Sequence, residues 1–174
     1  MPLTWERGKW LVTALVAAAL GAALLAACGS SAGSSDQLRD KTDSGLLDFG
    51  EEGGSAELKE ATEVVHSFFL ARSREDWTAT CAQLSQALLS KIERLAISST
   101  QLKDPSCPAF LEAFLSISEQ ERRAGTVIDA ASLRQQGAKA FLIYSGADET
   151  VYAMPLSKEG DAWRVDSLSS KRLS

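Results

Sequence analysis

The chain has 174 residues, a formal net charge of −5 and a hydrophobic fraction of 45%. This length fits one folded domain once a targeting segment is set aside. An acidic chain without a basic stripe argues against nucleic-acid binding by phosphate neutralisation. It also argues against electrostatic attraction to anionic lipid. Attachment to a membrane would therefore require a hydrophobic group.

The N-terminus has the three parts of a secretory signal peptide. Arg7 and Lys9 lie in the first nine residues, and the stretch from Trp10 to Ala27 carries no charge. The ending Leu25-Ala26-Ala27-Cys28 resembles the lipobox of bacterial lipoproteins. The resemblance implies that residues 1–27 are removed and that the Cys28 sulfur receives a diacylglycerol. Acyl chains such as palmitate then hold the protein at the extracytoplasmic face of a cell membrane.

Two other interpretations of this segment remain open. The uncharged run reaches the roughly 18 residues that can span a bilayer, so a retained transmembrane helix is one alternative. The other is an ordinary cleaved signal with a chance cysteine. The small residues before Cys28 favour the lipoprotein, and two or more acyl chains give a stable anchor. The sequence leaves open which membrane is used in a cell that has two.

Residues 28–55 form a predicted flexible tether after the lipidated cysteine, because the stretch is rich in Gly, Ser and Asp. Its one apolar patch is Leu46-Leu47-Asp48-Phe49. This patch is either a small docking motif or a piece of linker that rests on the domain, and we favour the second interpretation. The folded domain is predicted over residues 56–170.

A first helix is predicted from Ser55, a plausible N-cap. A second is predicted after Ser73, which stands three residues before Asp76 as in a capping box; a break near Ser85 is left open. A third begins around residues 104–108, since proline is tolerated in a first turn. The apolar faces of the first two helices contain Leu58, Ala61, Val65, Phe68, Phe69 and Arg72, and then Trp77, Cys81, Leu84, Leu88, Ile92 and Leu95.

The pattern changes to strands after Gly125. Four short runs rich in β-branched and aromatic residues are separated by turn signals. Short connections imply antiparallel neighbours, so the chain is predicted to be α+β, with N-terminal helices packed on a curved antiparallel sheet of about four strands. The runs are 126–133, 138–145, 150–156 and 162–168.

The predicted meander follows the helices and ends in Lys158-Glu159-Gly160-Asp161-Ala162-Trp163-Arg164-Val165. This order of elements and this ending resemble the nuclear transport factor 2-like superfamily. The stretch from Phe68 to Trp77, followed by Cys81, is similar to small lipoproteins with this domain. The resemblance covers about residues 56–170 and implies a cone with a pocket at its open end. The superfamily includes isomerases, dehydratases, carriers and non-catalytic adaptors, so the fold alone assigns no function.

Cys81 and Cys107 are the two cysteines besides Cys28. Each lies on the apolar face of its predicted helix, and an exported protein permits a disulfide between them. Two buried free thiols are the alternative.

The sequence shows no pattern typical of a metal or cofactor site. His66 is the only histidine, it falls off the buried face, and a solvated helix residue is the simpler interpretation. No cofactor and no metal is therefore predicted.

Catalytic relatives in the resembled superfamily often use an Asp or His with a Tyr inside the cone. Asp129 lies mid-strand and would act as a base only if it faced a dry pocket. Asp76 and Asp166 have simpler structural explanations. Aromatic residues at these spacings are more often plain core. The candidate pocket lining is Asp129, Phe141, Tyr144, Tyr152 and Trp163.

The sequence therefore favours a lipid-anchored extracytoplasmic lipoprotein with a non-catalytic binding or interaction domain, an accessory to an envelope process. The alternatives are a small-molecule or lipid binder that uses the cone pocket and, less favoured, an isomerase-like or dehydratase-like enzyme. Expected partners are the membrane through Cys28 and either an envelope protein or a small hydrophobic ligand. Nucleic acid is not expected, and a homodimer is left open.

Overall fold

The structure is a computed structural model, and it describes residues 45–119, residue 122 and residues 126–173. The predicted signal peptide, Cys28 and the tether up to residue 44 lie outside the described residues. Among the described residues, no helix has both the length and the apolar composition needed to cross a membrane.

Helix α1, Ser55–Ser73, begins one residue earlier than the sequence indicated, because Gly54 rather than Ser55 is its N-cap. The Gly54 N–H donates to Glu57 Oε2 over 3.3 Å, so a side chain from the first turn satisfies this donor. Helix α2, Trp77–Ala82, is capped by Asp76, whose carboxylate accepts from the Ala79 N–H over 2.9 Å. Ser73 instead donates to Leu70 O within α1, so the predicted Ser73 cap was wrong.

The chain breaks before Ser85, which caps helix α3, Gln86–Ser98. Helix α4, Cys107–Phe114, is capped by Ser106 and carries proline in its first turn, as predicted. The break changes the helical phase, and Leu95, assigned to the buried face of one long helix, is 47% exposed.

The described residues form one antiparallel sheet with six strands, two more than the sequence predicted. Strands β1 to β5 are neighbours in chain order, and β6 pairs with β4 beside β5. A register shift lies between Ala130 and Ser132 of β2. The strands are β1 Glu51–Glu52, β2 Asp129–Gln136, β3 Lys139–Ser145, β4 Val151–Glu159, β5 Ala162–Val165 and β6 Lys171–Arg172.

The inner face of the sheet packs against the helices and forms the main core. Along β3 and β4 the even-numbered residues face inward, because side chains alternate between the two faces of a strand. Phe68 of α1 and Trp163 of β5 are among the largest buried side chains. The core includes Ala61, Val65, Phe68, Leu84, Ile92, Leu111, Leu133, Leu142, Met154, Leu156, Trp163 and Val165.

Residues 46–53, which we call the strap, cover part of the outer face. Leu46 packs against Ile143 and its neighbours, and the Phe49 ring meets the Phe141 ring edge-on with centroids 5.0 Å apart. Arg134 donates to the carbonyls of Phe49 and Gly50 over 3.1 and 3.0 Å. The apolar patch of the predicted tether therefore rests on the domain. The fold reaches beyond the predicted bounds of 56 and 170 at both ends, because Leu173 also packs on the outer face.

The sulfur atoms of Cys81 and Cys107 are joined in a disulfide that links α2 to α4. Both cysteines are buried, with exposed fractions of 8% and 3%. The bond ties α2, which packs on α1, to α4, which packs on α3, so it holds the helices together.

Candidate functional site

An open cavity of about 250 Å³ lies between the C-terminal end of α1 and the inner face of the sheet. We call it the inner cavity. Two of the predicted pocket residues, Tyr144 and Tyr152, are in its wall. The described lining residues are Phe69, Arg72, Ser73, Ile117, Tyr144, Gly146, Asp148, Tyr152, Ser169 and Ser170.

Three aromatic rings from three elements form the apolar part of the wall. Tyr144 near the end of β3 and Tyr152 near the start of β4 are direct cross-strand partners. Their rings stack with centroids 5.6 Å apart and an interplanar angle of 26°. The Phe69 ring of α1 lies 6.4 Å from the Tyr144 ring at 58°. Antiparallel pairing thus fixes two rings, and the helix supplies the third.

The Tyr144 side chain is almost fully buried, with 4% exposed. Its hydroxyl hydrogen-bonds Ser170 Oγ over 2.6 Å. Burial raises the pKa of Tyr144 to about 12, although the hydrogen bond with Ser170 acts in the opposite direction. The phenol is therefore neutral throughout the physiological pH range.

Asp148 places a carboxylate at the rim, in the turn between β3 and β4. Its oxygens accept from the Thr150 hydroxyl over 2.9 Å, the Thr150 N–H over 3.2 Å and the Tyr152 hydroxyl over 3.2 Å. The Thr150 hydroxyl is the main cause of the lowered pKa of Asp148. A carboxylate held ionised in this way is a weak base at neutral pH.

Arg72 brings a cation to the same wall. Its Nη1 donates to Leu168 O over 2.9 Å, a contact that ties the end of α1 to the segment between β5 and β6. The positive charge of Arg72 also acts to lower the pKa of Tyr144. The described lining thus contains one cation and one anion.

Gly146 keeps the cavity open beside Tyr152. A Cβ at this position would lie 3.0 Å from Tyr152 Cε2 and 3.2 Å from Asp148 Oδ1. Any side chain here would therefore displace the ring or the carboxylate, or fill the cavity.

Asp129, the candidate base, does not line the inner cavity. It pairs with Ser145 in the register of β2 and β3, and both occupy the outer-face positions. The Asp129 side chain is exposed. The dry environment that would have made it a base is absent at this position.

Phe141 and Trp163 are also not in the inner cavity, so their assignment to one common pocket was wrong. Phe141 lies on the outer face against Phe49. Trp163 is 1% exposed in the core, with Lys158 Nζ 5.2 Å from its ring centroid. It borders a separate groove with Glu60 and Glu63 of α1.

Sequence reasoning missed the polar part of the wall. One usable signal was Arg72, a charged residue three positions after Phe69 on an otherwise apolar helix face. The lining residues Ser169 and Ser170 follow β5 in a polar segment that carries no comparable signal. His66 is exposed on α1 and takes no part in the cavity.

Comparison with protein-family models, with curated proteins and with solved structures finds no match to this chain in any of the three.

Proposed function

We propose that this chain is an extracytoplasmic lipoprotein, anchored through lipid on Cys28, whose folded domain binds a small molecule in the inner cavity. The observation that carries the proposal is the aromatic wall of Phe69, Tyr144 and Tyr152 around an open space of about 250 Å³. A concave, mostly apolar site with a few fixed polar groups is typical of ligand pockets.

Binding explains this site better than catalysis does. The candidate base Asp129 points away from the cavity, and the carboxylate that does line it, Asp148, is hydrogen-bonded to Thr150 and Tyr152. The Tyr144 hydroxyl is neutral and already bonded to Ser170. These groups are arranged to keep the walls rigid, and a rigid, preformed site lowers the entropic cost of binding.

The nuclear transport factor 2-like cone is part of the same proposal. Helices followed by an antiparallel meander support it, as does the position of the inner cavity between α1 and the sheet. A cone of this kind holds its ligand between the helix layer and the concave sheet face.

Native mass spectrometry of the chain from Gly29 onward, exported to an oxidising compartment and purified gently, tests the binding function. The Gly146→Leu variant places a side chain against Tyr152 and should lose the bound mass. Gly45→Leu is the control, because a Cβ at Gly45 has no atom within 4 Å. Equal retention of ligand by both variants would place the ligand elsewhere.

The anchor has its own test. Metabolic labelling with an alkyne analogue of palmitate should mark the wild-type protein and leave Cys28→Ser unlabelled. Label that persists in Cys28→Ser would contradict the lipoprotein assignment.

A protein-docking function is the second candidate, because apolar side chains are exposed on two contacting helices. Leu95 and Ile97 of α3 are 47% and 69% exposed, and Phe114 of α4 is 46% exposed. Exposed apolar side chains are typical of interaction sites where they form a contiguous patch. A photo-crosslinker at Ile97 in intact cells should give one defined adduct, whereas the same group at the exposed His66 should give none. Identical patterns from both positions would exclude a specific partner at α3.

A further inference from the structure

Several polar groups of the inner cavity already have hydrogen-bond partners within the chain. Arg72 donates to Leu168 O, Ser73 to Leu70 O, and the hydroxyls of Tyr144 and Tyr152 are bonded to Ser170 and Asp148. The described lining also carries one cation, Arg72, and one anion, Asp148, so a ligand of either charge would meet a like charge there. The described lining therefore favours an uncharged ligand.

The size of the cavity limits the size of the ligand. An apolar protein cavity of about 150 Å³ accommodates benzene. The inner cavity, at about 250 Å³, has room for one ring or two fused rings. A diacyl lipid or a long acyl chain exceeds this volume.

The aromatic rings of the wall limit the shape of the ligand. Aromatic pairs prefer offset-stacked or edge-to-face contacts, and these contacts favour a flat aromatic partner over a puckered saturated ring of equal size. Tyr144 is 4% exposed, so a ligand would meet mainly the half-buried rings of Phe69 and Tyr152, which Tyr144 holds in place by a tilted and a stacked contact.

We propose that the ligand of the inner cavity is a small, planar, uncharged aromatic compound of one or two fused rings. This inference rests on the proposed binding function and specifies its ligand class. Selectivity comes from the Phe69 and Tyr152 rings, which Tyr144 supports, and Gly146 leaves the space that the ligand fills.

The test compares three probes by isothermal titration calorimetry on the chain from Gly29 onward: 2-naphthol, its saturated analogue decahydro-2-naphthol, and decanoate. The two alcohols have the same heavy atoms and differ in flatness. 2-Naphthol should bind about three- to tenfold more tightly than decahydro-2-naphthol. Decanoate should bind most weakly, because it is both charged and too long.

The Phe69→Leu variant tests whether the aromatic rings cause the preference for the flat probe, because it keeps an apolar side chain and removes one ring. The preference for 2-naphthol should fall towards one, with Leu58→Ile on the same helix as the control that leaves it unchanged. Far-UV circular dichroism identifies a variant that does not fold, and Tyr152→Leu then takes the place of Phe69→Leu.

Different outcomes would overturn the proposed ligand class and the proposed binding function. Equal or tighter binding of decahydro-2-naphthol or decanoate to the wild type would overturn the ligand class and leave the binding function in place. No heat from any of the three probes at millimolar concentration would overturn both.

Discussion

The two faces of strands β3 and β4 differ in what covers them, although their residues are neighbours in the chain. On the outer face, Ile143 and Ala153 are buried with Leu173, and the strap packs Leu46 onto them. On the inner face, Tyr144 and Tyr152 border an open cavity. The chain thus closes one face with its own segment and leaves a well-defined space on the other.

Residues of the outer face hold the fold together, whereas residues of the inner cavity would face the proposed ligand. Burial of Ile143 by Leu46 removes apolar surface from water and stabilises the fold. The Tyr152 ring stacks on Tyr144 but is only half buried, so part of its surface remains available. Changes on the outer face should therefore alter stability, and changes in the inner cavity should alter binding.

Loss of the disulfide should have the largest effect, because it loosens the helical layer that covers the inner face. The Cys81→Ala/Cys107→Ala variant removes a bond that spans 26 residues, and its free energy of unfolding should fall by about 3–4 kcal/mol. Urea denaturation measures the change, with Cys28→Ser as the control. A loss below about 1 kcal/mol would show that the helices do not depend on this bond.

Release of the strap should cause the next largest loss of stability. A Cβ at Gly50, where φ is +53°, would lie 2.0 Å from Gln135 O, so Gly50→Ala cannot keep the strap in place. We expect a loss of about 2–3 kcal/mol and faster hydrogen exchange at the Gly53 N–H, which donates to Leu133 O over 2.7 Å.

Gly137→Ala is the matched control for the strap. Gly137 has a φ of +59°, but no atom lies within 4 Å of the added Cβ, so this variant introduces left-handed strain without a clash. Its cost should be about 1–2 kcal/mol, with unchanged exchange at Gly53. Indistinguishable exchange in Gly50→Ala and Gly137→Ala would contradict the strap contacts.

Substitution of Asp166 should lower the free energy of unfolding by a smaller amount that depends on pH. Its carboxylate accepts from Lys139 Nζ over 2.7 Å and from the buried Ser85 hydroxyl. Burial of Asp166 opposes ionisation, but the bonds from Lys139 and Ser85 outweigh it and hold its pKa below the ordinary value. The stabilisation is therefore present above pH ~4 and is lost as the pH falls through the lower folded-state pKa.

Asp166→Asn should lower the free energy of unfolding by about 1–2 kcal/mol at pH 7. The difference from the wild type should shrink in acid. Urea denaturation at pH 7 and pH 3 measures both values, and Asp161→Asn in the exposed β4–β5 turn is the control. A pH-independent difference would indicate that the charge of Asp166 is not what stabilises the cluster.

Ionisation of Tyr144 should give the smallest effect, because its raised pKa keeps the phenol neutral and stability independent of this group at neutral pH. The stabilisation is complete below pH ~10 and is lost as the pH rises towards the folded-state value of about 12. Tyr152→Phe leaves Tyr144 as the single tyrosine. Absorbance at 295 nm should then show ionisation well above pH 10, and a midpoint near 10 would mean that Tyr144 is solvated.

The order of helices and hairpins could be predicted because apolar spacing and turn residues are local signals. The break at Ser85 was harder to place, because its support is tertiary: the Ser85 N–H donates to Val165 O over 2.8 Å across the β5 edge. The two extra strands, β1 and β6, have only two residues each and so carry no periodic signal.

The candidate site was predicted only in part, for a physical reason. Phe141, Leu142, Ile143 and Tyr144 are all apolar, so alternation shows that consecutive residues face opposite ways without showing which face meets the helices. This ambiguity placed Phe141 and Tyr144 in one pocket, whereas they lie on opposite faces. The polar lining comes from three segments distant in sequence, and only their folding brings them together.

If Cys28 carries the proposed lipid, the strap also limits how far the domain can move from the membrane. The strap and the start of α1 take up residues 46–55 of the predicted tether, so 17 residues, 29–45, remain between Cys28 and the fold. Even fully extended, a chain of that length spans at most ~60 Å, against ~90 Å for the 27 residues of 29–55. With the proposed lipid on Cys28, the inner cavity would sample ligand from a thin layer next to the bilayer, and an intact strap would set the thickness of that layer.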